Sequence, residues 1–167
     1  MFERSKDHTL NLADVCLLAF VFVISGNSQV TEASAKTPVA VAETVQAAVL
    51  KNYPTLKVGT SVDDVRKELG KARIDEADSL YYEISDTEVM QIRLDADKKV
   101  RVISVTYTHG HKNVLQYSDI FGAGSEVAAK PDGSIFHLAR YPDAGYWIAY
   151  SRTAGENHSV TVTMQKL

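Results

Sequence analysis

His109 and His111 are the pair best spaced for chemistry in this chain. On an extended strand residues i and i+2 point to the same side, so two such imidazoles could share a metal ion. Their setting argues for a solvated loop instead, because "VRVISVTYT" runs out into a polar linker here and the spacing supplies no third ligand. Asp95 and Asp97 begin like a calcium loop, yet Lys98 and Lys99 follow at once and further oxygen ligands are missing, so they read as hairpin residues. Gly122-Ala123-Gly124-Ser125 lacks the lysine of a phosphate loop and the strand-turn-helix frame of a nucleophile elbow. The sole cysteine, Cys16, lies in an apolar run, so the rest of the chain has no thiol for a disulfide, a metal thiolate or a nucleophile. These patterns assign no catalytic residue, no metal site and no cofactor, and the expectation is not an enzyme.

What remains is the chemistry of recognition. The formal charge of −3, from 18 basic and 21 acidic residues, comes without any basic stripe, which excludes nucleic acid as the expected partner. Trp, Tyr and Arg dominate protein-binding hot spots, and strand alternation decides which of them face outward. If Phe136 and Leu138 face the core, His137 points the other way; in the next run Tyr146, Ile148 and Tyr150 share one side and Trp147 takes the other. Trp147 is then expected on an open sheet face with His137, and Tyr81, Gln91 and Arg93 on the comparable face of an earlier sheet. Together these form the candidate partner-binding set.

The elements that must hold them can be read from periodicity. Pro38 can open a helix, in which Val41, Val45, Ala48 and Val49 recur at spacings of three and four, and Tyr53-Pro54 ends it. In "LKVGTSVDDVRKELGKAR", Ser61 can cap a second helix with Asp64 answering three residues on, Val62, Val65 and Leu69 share a face, and Gly70 stops it. A helix this short is marginal alone, so it must pack on something. Three β-rich runs follow, "LYYEIS", "EVMQIRLD" and "VRVISVTYT", the last two joined by a hairpin at "ADKK". Three more close the chain, "SIFHLARY", "GYWIAYSR" and "SVTVTMQ", preceded by the short helical arm "NVLQYSDIFG", which has no clear cap. Leu69-Gly70 before the first set is echoed by Phe121-Gly122 before the second, which suggests a diverged duplication; a single six-stranded meander is the alternative.

At the N-terminus, Val15 to Ile24 is a continuous apolar run shorter than the ~20 residues of a spanning helix. With the Ala33-Ser34-Ala35 triplet it reads as a signal peptide over residues 1–35, predicting a periplasmic or secreted protein. An uncleaved anchor, associating with a membrane through residues 15–24, and a buried core segment are the alternatives.

"VGTSVDDVRKELGKA", followed by "YYEI", a middle strand, "LDADKKV" and a final strand, resembles the SmpA/OmlA domain of BamE, a small lipoprotein of the outer-membrane β-barrel assembly machinery. It is also similar to the β-lactamase inhibitor protein, whose fold is a tandem of such units. The likeness covers Lys57 to Thr108 and, more loosely, Val114 to Gln165. Where the family carries a proline soon after its Leu-Gly, this chain has Lys71-Ala72, and no lipobox cysteine follows the apolar run. The resemblance implies an α+β protein of two helix-plus-antiparallel-sheet units in tandem. The first is a helix-loop-helix with a three-stranded sheet over residues 37–108, the second a diverged sheet unit over 113–167; a tandem of PepSY-type modules is the alternative. It further implies a non-catalytic envelope or secreted protein that binds another protein, as an assembly factor or an enzyme inhibitor. A carrier with an apolar ligand pocket between sheet and helices is the runner-up.

Overall fold

The computed structural model describes residues 39–125 and 127–167, so the expected signal or anchor segment lies outside the described residues. The elements run α1 (Val39–Val49), α2 (Val62–Leu69), β1 (Ile74–Asp75), β2 (Ser79–Ser85), β3 (Glu88–Leu94), β4 (Val100–Tyr107), α3 (Tyr117–Phe121), β5 (Ile135–Tyr141), β6 (Tyr146–Arg152) and β7 (Val160–Lys166). All strand pairings are antiparallel, and the spatial order is β1-β2-β3-β4-β7-β6-β5.

This order corrects the tandem architecture expected from the sequence. Both three-stranded meanders are present, but they are halves of one seven-stranded sheet, because β4 pairs with β7 from Val102↔Gln165 to Tyr107↔Val160. Left apart, each meander would expose a row of unpaired backbone groups on its last strand, and joining removes both rows. The seam is closed on one face by Ile103, Val105 and Tyr107 opposite Met164, Val162 and Val160, all buried. On the other face hydroxyl pairs close it, Ser104 Oγ to Thr163 Oγ1 at 2.9 Å and Thr106 Oγ1 to Thr161 Oγ1 at 3.0 Å.

The helices also belong to one core. α1 packs on α3 and on the 3₁₀ turn Pro142–Ala144, both in the C-terminal half, and the Tyr146 hydroxyl donates to the Ala42 carbonyl. Just beyond α1, the Tyr53 hydroxyl reaches Glu88 on β3 in the other half. One helix and its tail thus contact both meanders. The buried stripe of α1 is Ala42, Val45 and Val49, whereas Val41, expected inward, is 44% exposed. This rotation keeps the Ala42 carbonyl within reach of the Tyr146 hydroxyl.

α2 forms as its signals require: Ser61 Oγ accepts from the Asp64 N–H at 3.2 Å and donates to its carboxylate at 2.7 Å, and Gly70 ends the helix at φ 75°. Val65 is fully buried, with Val62 and Leu69 at the margin of the core. Asp95 accepts from the N–H groups of Asp97 and Lys99, both at 3.0 Å, which fixes the β3–β4 hairpin as turn chemistry. The short α3 carries a cap that its sequence did not advertise, since the Gln116 N–H donates to Asp119 Oδ2 at 2.8 Å. No described helix is long and apolar enough to cross a membrane.

Candidate functional site

The three described helices cover one face of the sheet, and among the described residues no helix lies on the other. On the covered face, Leu80, Tyr82, Met90, Ile92, Ile103, Val105, Val162, Met164, Ile148 and Tyr150 are buried. The strand registers arrange the other face as rows that cross the sheet. One row runs Arg140, Trp147, Gln165, Val102, Arg93, Ser79. The next runs Leu138, Ala149, Thr163, Ser104, Gln91, Tyr81, Ile74, and the third Phe136, Ser151, Thr161, Thr106, Val89, Glu83.

Trp147, Tyr81, Gln91 and Arg93, expected on two separate sheets, therefore stand on one surface. Tyr81 and Gln91 are directly opposed, and Trp147 lies in the row of Arg93, three strands away, or roughly 14 Å at the usual interstrand spacing. Trp147, Tyr81 and Gln91 are partly exposed and Arg93 is exposed. Arg93 and Arg140 bracket the tryptophan in this row, and neither forms an ion pair among the described residues. The centre of the face is a field of serine and threonine hydroxyls, with Ile74 and Phe136, 38% and 40% exposed, near its two edges.

His137 is not part of this surface. It lies on the covered face opposite Tyr150, with ring centroids 5.4 Å from Tyr117 and 4.8 Å from Phe121, both edge-on. Burial lowers its pKa. The expectation that Phe136 and Leu138 face the core is thus reversed. In "IFHLAR" both faces carry large apolar residues, so alternation alone cannot fix the parity, and the aromatic shelf of α3 decides it.

The most concentrated ionisable chemistry was not anticipated. Glu88, 6% exposed, accepts from the Tyr53 hydroxyl at 3.1 Å, and His111 Nε2 stands 3.8 Å from its second oxygen. His111 Nδ1 is 3.1 Å from Thr87 Oγ1, and its ring packs on Tyr107 at 4.8 Å. Burial, followed by the Glu88 charge, pushes the Tyr53 and Tyr107 phenols upward, so both remain protonated donors at neutral pH. The order hydroxyl, imidazole, carboxylate is that of a nucleophilic relay, but 3.8 Å exceeds hydrogen-bond length. The described cavity, a shallow space of about 400 Å³ lined by Leu69, Lys71, Arg73, Tyr82, Glu83 and Ile84, is not lined by any of these groups. The cluster instead clamps the tail of α1 and the turn after β4 onto the start of β3. His109, on the exposed side of that turn, does not join His111, because β4 has ended and Gly110 turns the chain at φ 90°. No three metal-ligating side chains converge among the described residues. One sequence signal could have found the clamp: Glu88 shares strand parity with Met90, Ile92 and Leu94, a charge in a core phase.

Comparisons with known protein families, curated proteins and solved structures give no match to this chain.

Proposed function

We propose that this protein is a non-catalytic binding module of the cell envelope or the secreted compartment, engaging another protein through the open face of its sheet. The observation that carries the reading is the convergence of Trp147, Tyr81, Gln91 and Arg93 on a sheet face that no described helix covers. Trp brings large contact area at low entropic cost, and Arg supplies directional hydrogen bonds at a rim, the usual composition of a hot spot. The envelope assignment draws on the apolar run of residues 15–24 with the triplet at 33–35, and on the resemblance of "VGTSVDDVRKELGKA" and "LDADKKV" to the SmpA/OmlA domain, which favours an assembly factor or an enzyme inhibitor. A carrier of a small apolar ligand would need an enclosed apolar pocket, whereas Leu56, Val65, Met90 and Ile92 pack the space between sheet and helices and the described depression is rimmed by Lys71, Arg73 and Glu83.

Affinity capture from the native host with wild type and Trp147→Ala tests this. A protein retained by the wild type should bind the variant at least about thirty-fold more weakly, the equivalent of ~2 kcal/mol. Retention of a small molecule and no stoichiometric protein would favour the carrier. N-terminal sequencing of the native protein should give a chain beginning at or just after Ala35; an intact Met1 in a soluble cytoplasmic fraction would remove the export reading.

A further inference from the structure

Six arginines lie among the described residues, and they divide into two groups by what they touch. Arg66 forks onto Asp75 through hydrogen bonds of 2.8 and 3.2 Å, Arg73 pairs with Glu83 at 3.3 Å, and Arg152 donates to the Gly133 carbonyl at 3.4 Å. Arg93, Arg101 and Arg140 are exposed, and among the described residues none of their side chains has an ion pair or a hydrogen bond. All three lie on or beside the row of Trp147. Arg140 stands directly opposite Trp147 on the β5–β6 ladder, and Arg93 lies farther along the same row, opposite Val102. Arg101 is the extra residue of the β-bulge that sets Arg93 against Val102 and Leu94 against Val100. Between the two cationic ends the row is neutral, with Gln165 and Val102. The three rows of this face hold one carboxylate, Glu83, which Arg73 already engages. A chain of formal charge −3 thus carries an excess of guanidinium on a face that no described helix covers.

We propose, resting on the reading of this face as a binding surface, that its partner is an acidic protein segment. Asp or Glu carboxylates of that segment seat on Arg140 at one side of Trp147 and on Arg93 and Arg101 at the other, with an apolar side chain over the indole. The guanidinium fork matches a carboxylate with two parallel hydrogen bonds, and exposed charges of this kind select the partner and speed its approach. Arg140 and Arg93 stand four strand spacings apart, roughly 19 Å, which an extended segment crossing the strands covers in about six residues. Two cationic ends with a neutral middle fit discrete carboxylates. A nucleic acid or an anionic membrane presents phosphates throughout, and Gln165, Val102 and the hydroxyls beside them would leave the central ones unmatched.

The probe is an end-blocked heptapeptide, Glu-Leu-Ser-Ser-Ser-Glu-Glu, set against its isostere with Gln for each Glu, titrated into the full chain at ~20 mM salt while Trp147 fluorescence is followed. The acidic peptide should saturate with a Kd below ~1 mM, the glutamine peptide should bind at least about ten-fold more weakly, and ~0.5 M salt should erase the difference. Arg93→Glu and Arg140→Glu should each weaken the acidic peptide about ten-fold at an unchanged melting temperature, since neither side chain has a partner to lose among the described residues. Lys67→Glu, the same change of charge on α2, should leave binding within about two-fold. Arg93→Gln and Arg140→Gln keep the comparison decisive if a reversal fails to fold. Equal binding of the two peptides, no binding of either up to ~10 mM, or wild-type binding by the arginine variants overturns the proposal. So does saturation by phosphatidylglycerol vesicles or a thymidine oligonucleotide in place of the acidic peptide. A captured protein lost with Trp147→Ala but retained by both arginine variants overturns the acidic partner and leaves the binding face standing; one retained by Trp147→Ala overturns both.

Discussion

Removing one oxygen atom at Tyr146 examines how α1 is held to the C-terminal half of the sheet. Tyr146 is 4% exposed, and its hydroxyl donates to the carbonyl of Ala42 in the first turn of α1. That carbonyl is also in position to accept the helical bond from four residues on, so deleting the hydroxyl leaves no orphaned acceptor. Tyr146→Phe should therefore cost only the net value of one buried hydrogen bond, ~0.5–1.5 kcal/mol. Tyr146→Ala also removes the buried ring and should cost ~3–5 kcal/mol. Burial, with Tyr141 and Glu43 adding to it, pushes the phenol up to about 12. The sign follows from this: the neutral phenol is favoured in the folded state, so its contribution is complete below the ordinary value of 10.0 and is lost as pH rises through the folded value. Urea unfolding at pH 7 and at stepped alkaline pH measures both effects, and hydrogen exchange reads the amides of α1. Tyr146→Phe should lower stability at pH 7, speed exchange in α1 and flatten the alkaline loss. A variant as stable as the wild type, with unchanged exchange in α1, would refute the clamp.

Further outcomes can be measured on the same footing. Glu88→Ala should destabilise by ~1–3 kcal/mol because the Tyr53 hydroxyl loses its acceptor in a buried site, while Glu88→Gln, which keeps an oxygen, should cost less; urea midpoints separate them. Tyr82 is 3% exposed and its hydroxyl has no hydrogen-bond partner among the described residues, so Tyr82→Phe should stabilise by about 1 kcal/mol and raise the melting temperature by a few degrees. His137, depressed by burial, favours the neutral imidazole in the folded state; its contribution is complete above the ordinary value of 6.5 and is lost as pH falls through the lower folded value. His137→Leu should therefore show a smaller loss of stability on acidification than the wild type, and identical pH profiles would refute the burial argument.

The strands were legible because period two and turn chemistry agree there: six of the seven fall on the quoted β-rich runs, and Ser61, Asp64 and Gly70 define α2 as read. The face of β6 was legible too, since "YWIAYSR" sets Tyr146, Ile148 and Tyr150 on one side and Trp147 with the small Ala149 and Ser151 on the other. The joining of the halves was not. The pairing of β4 with β7 is a contact between residues 102–107 and 160–165, and a strand's own pattern does not say which edge it will meet. Nor was the rotation of α1, whose Ala42 carbonyl is bound by the Tyr146 hydroxyl from more than a hundred residues away. Trp147, Tyr81, Gln91 and Arg93 were individually placed outward by alternation, yet they became one surface only when the two sheets proved to be one. The parity of His137 was not legible because β5 has no polar side, and Glu88 carries a charge in a core phase whose partners, Tyr53 and His111, lie on other segments.

The fluorescence of Trp147, the only tryptophan in the chain, tests the open face most directly. The indole is partly exposed, on the face that no described helix covers, in the row of Arg93 and Arg140. In the isolated protein its emission should be that of a water-contacting indole, quenched readily by acrylamide, and adding the captured partner should shift the emission to the blue and protect it from the quencher. Blue emission and resistance to acrylamide in the isolated protein would mean that the face is already covered, and the proposed binding surface would be contradicted.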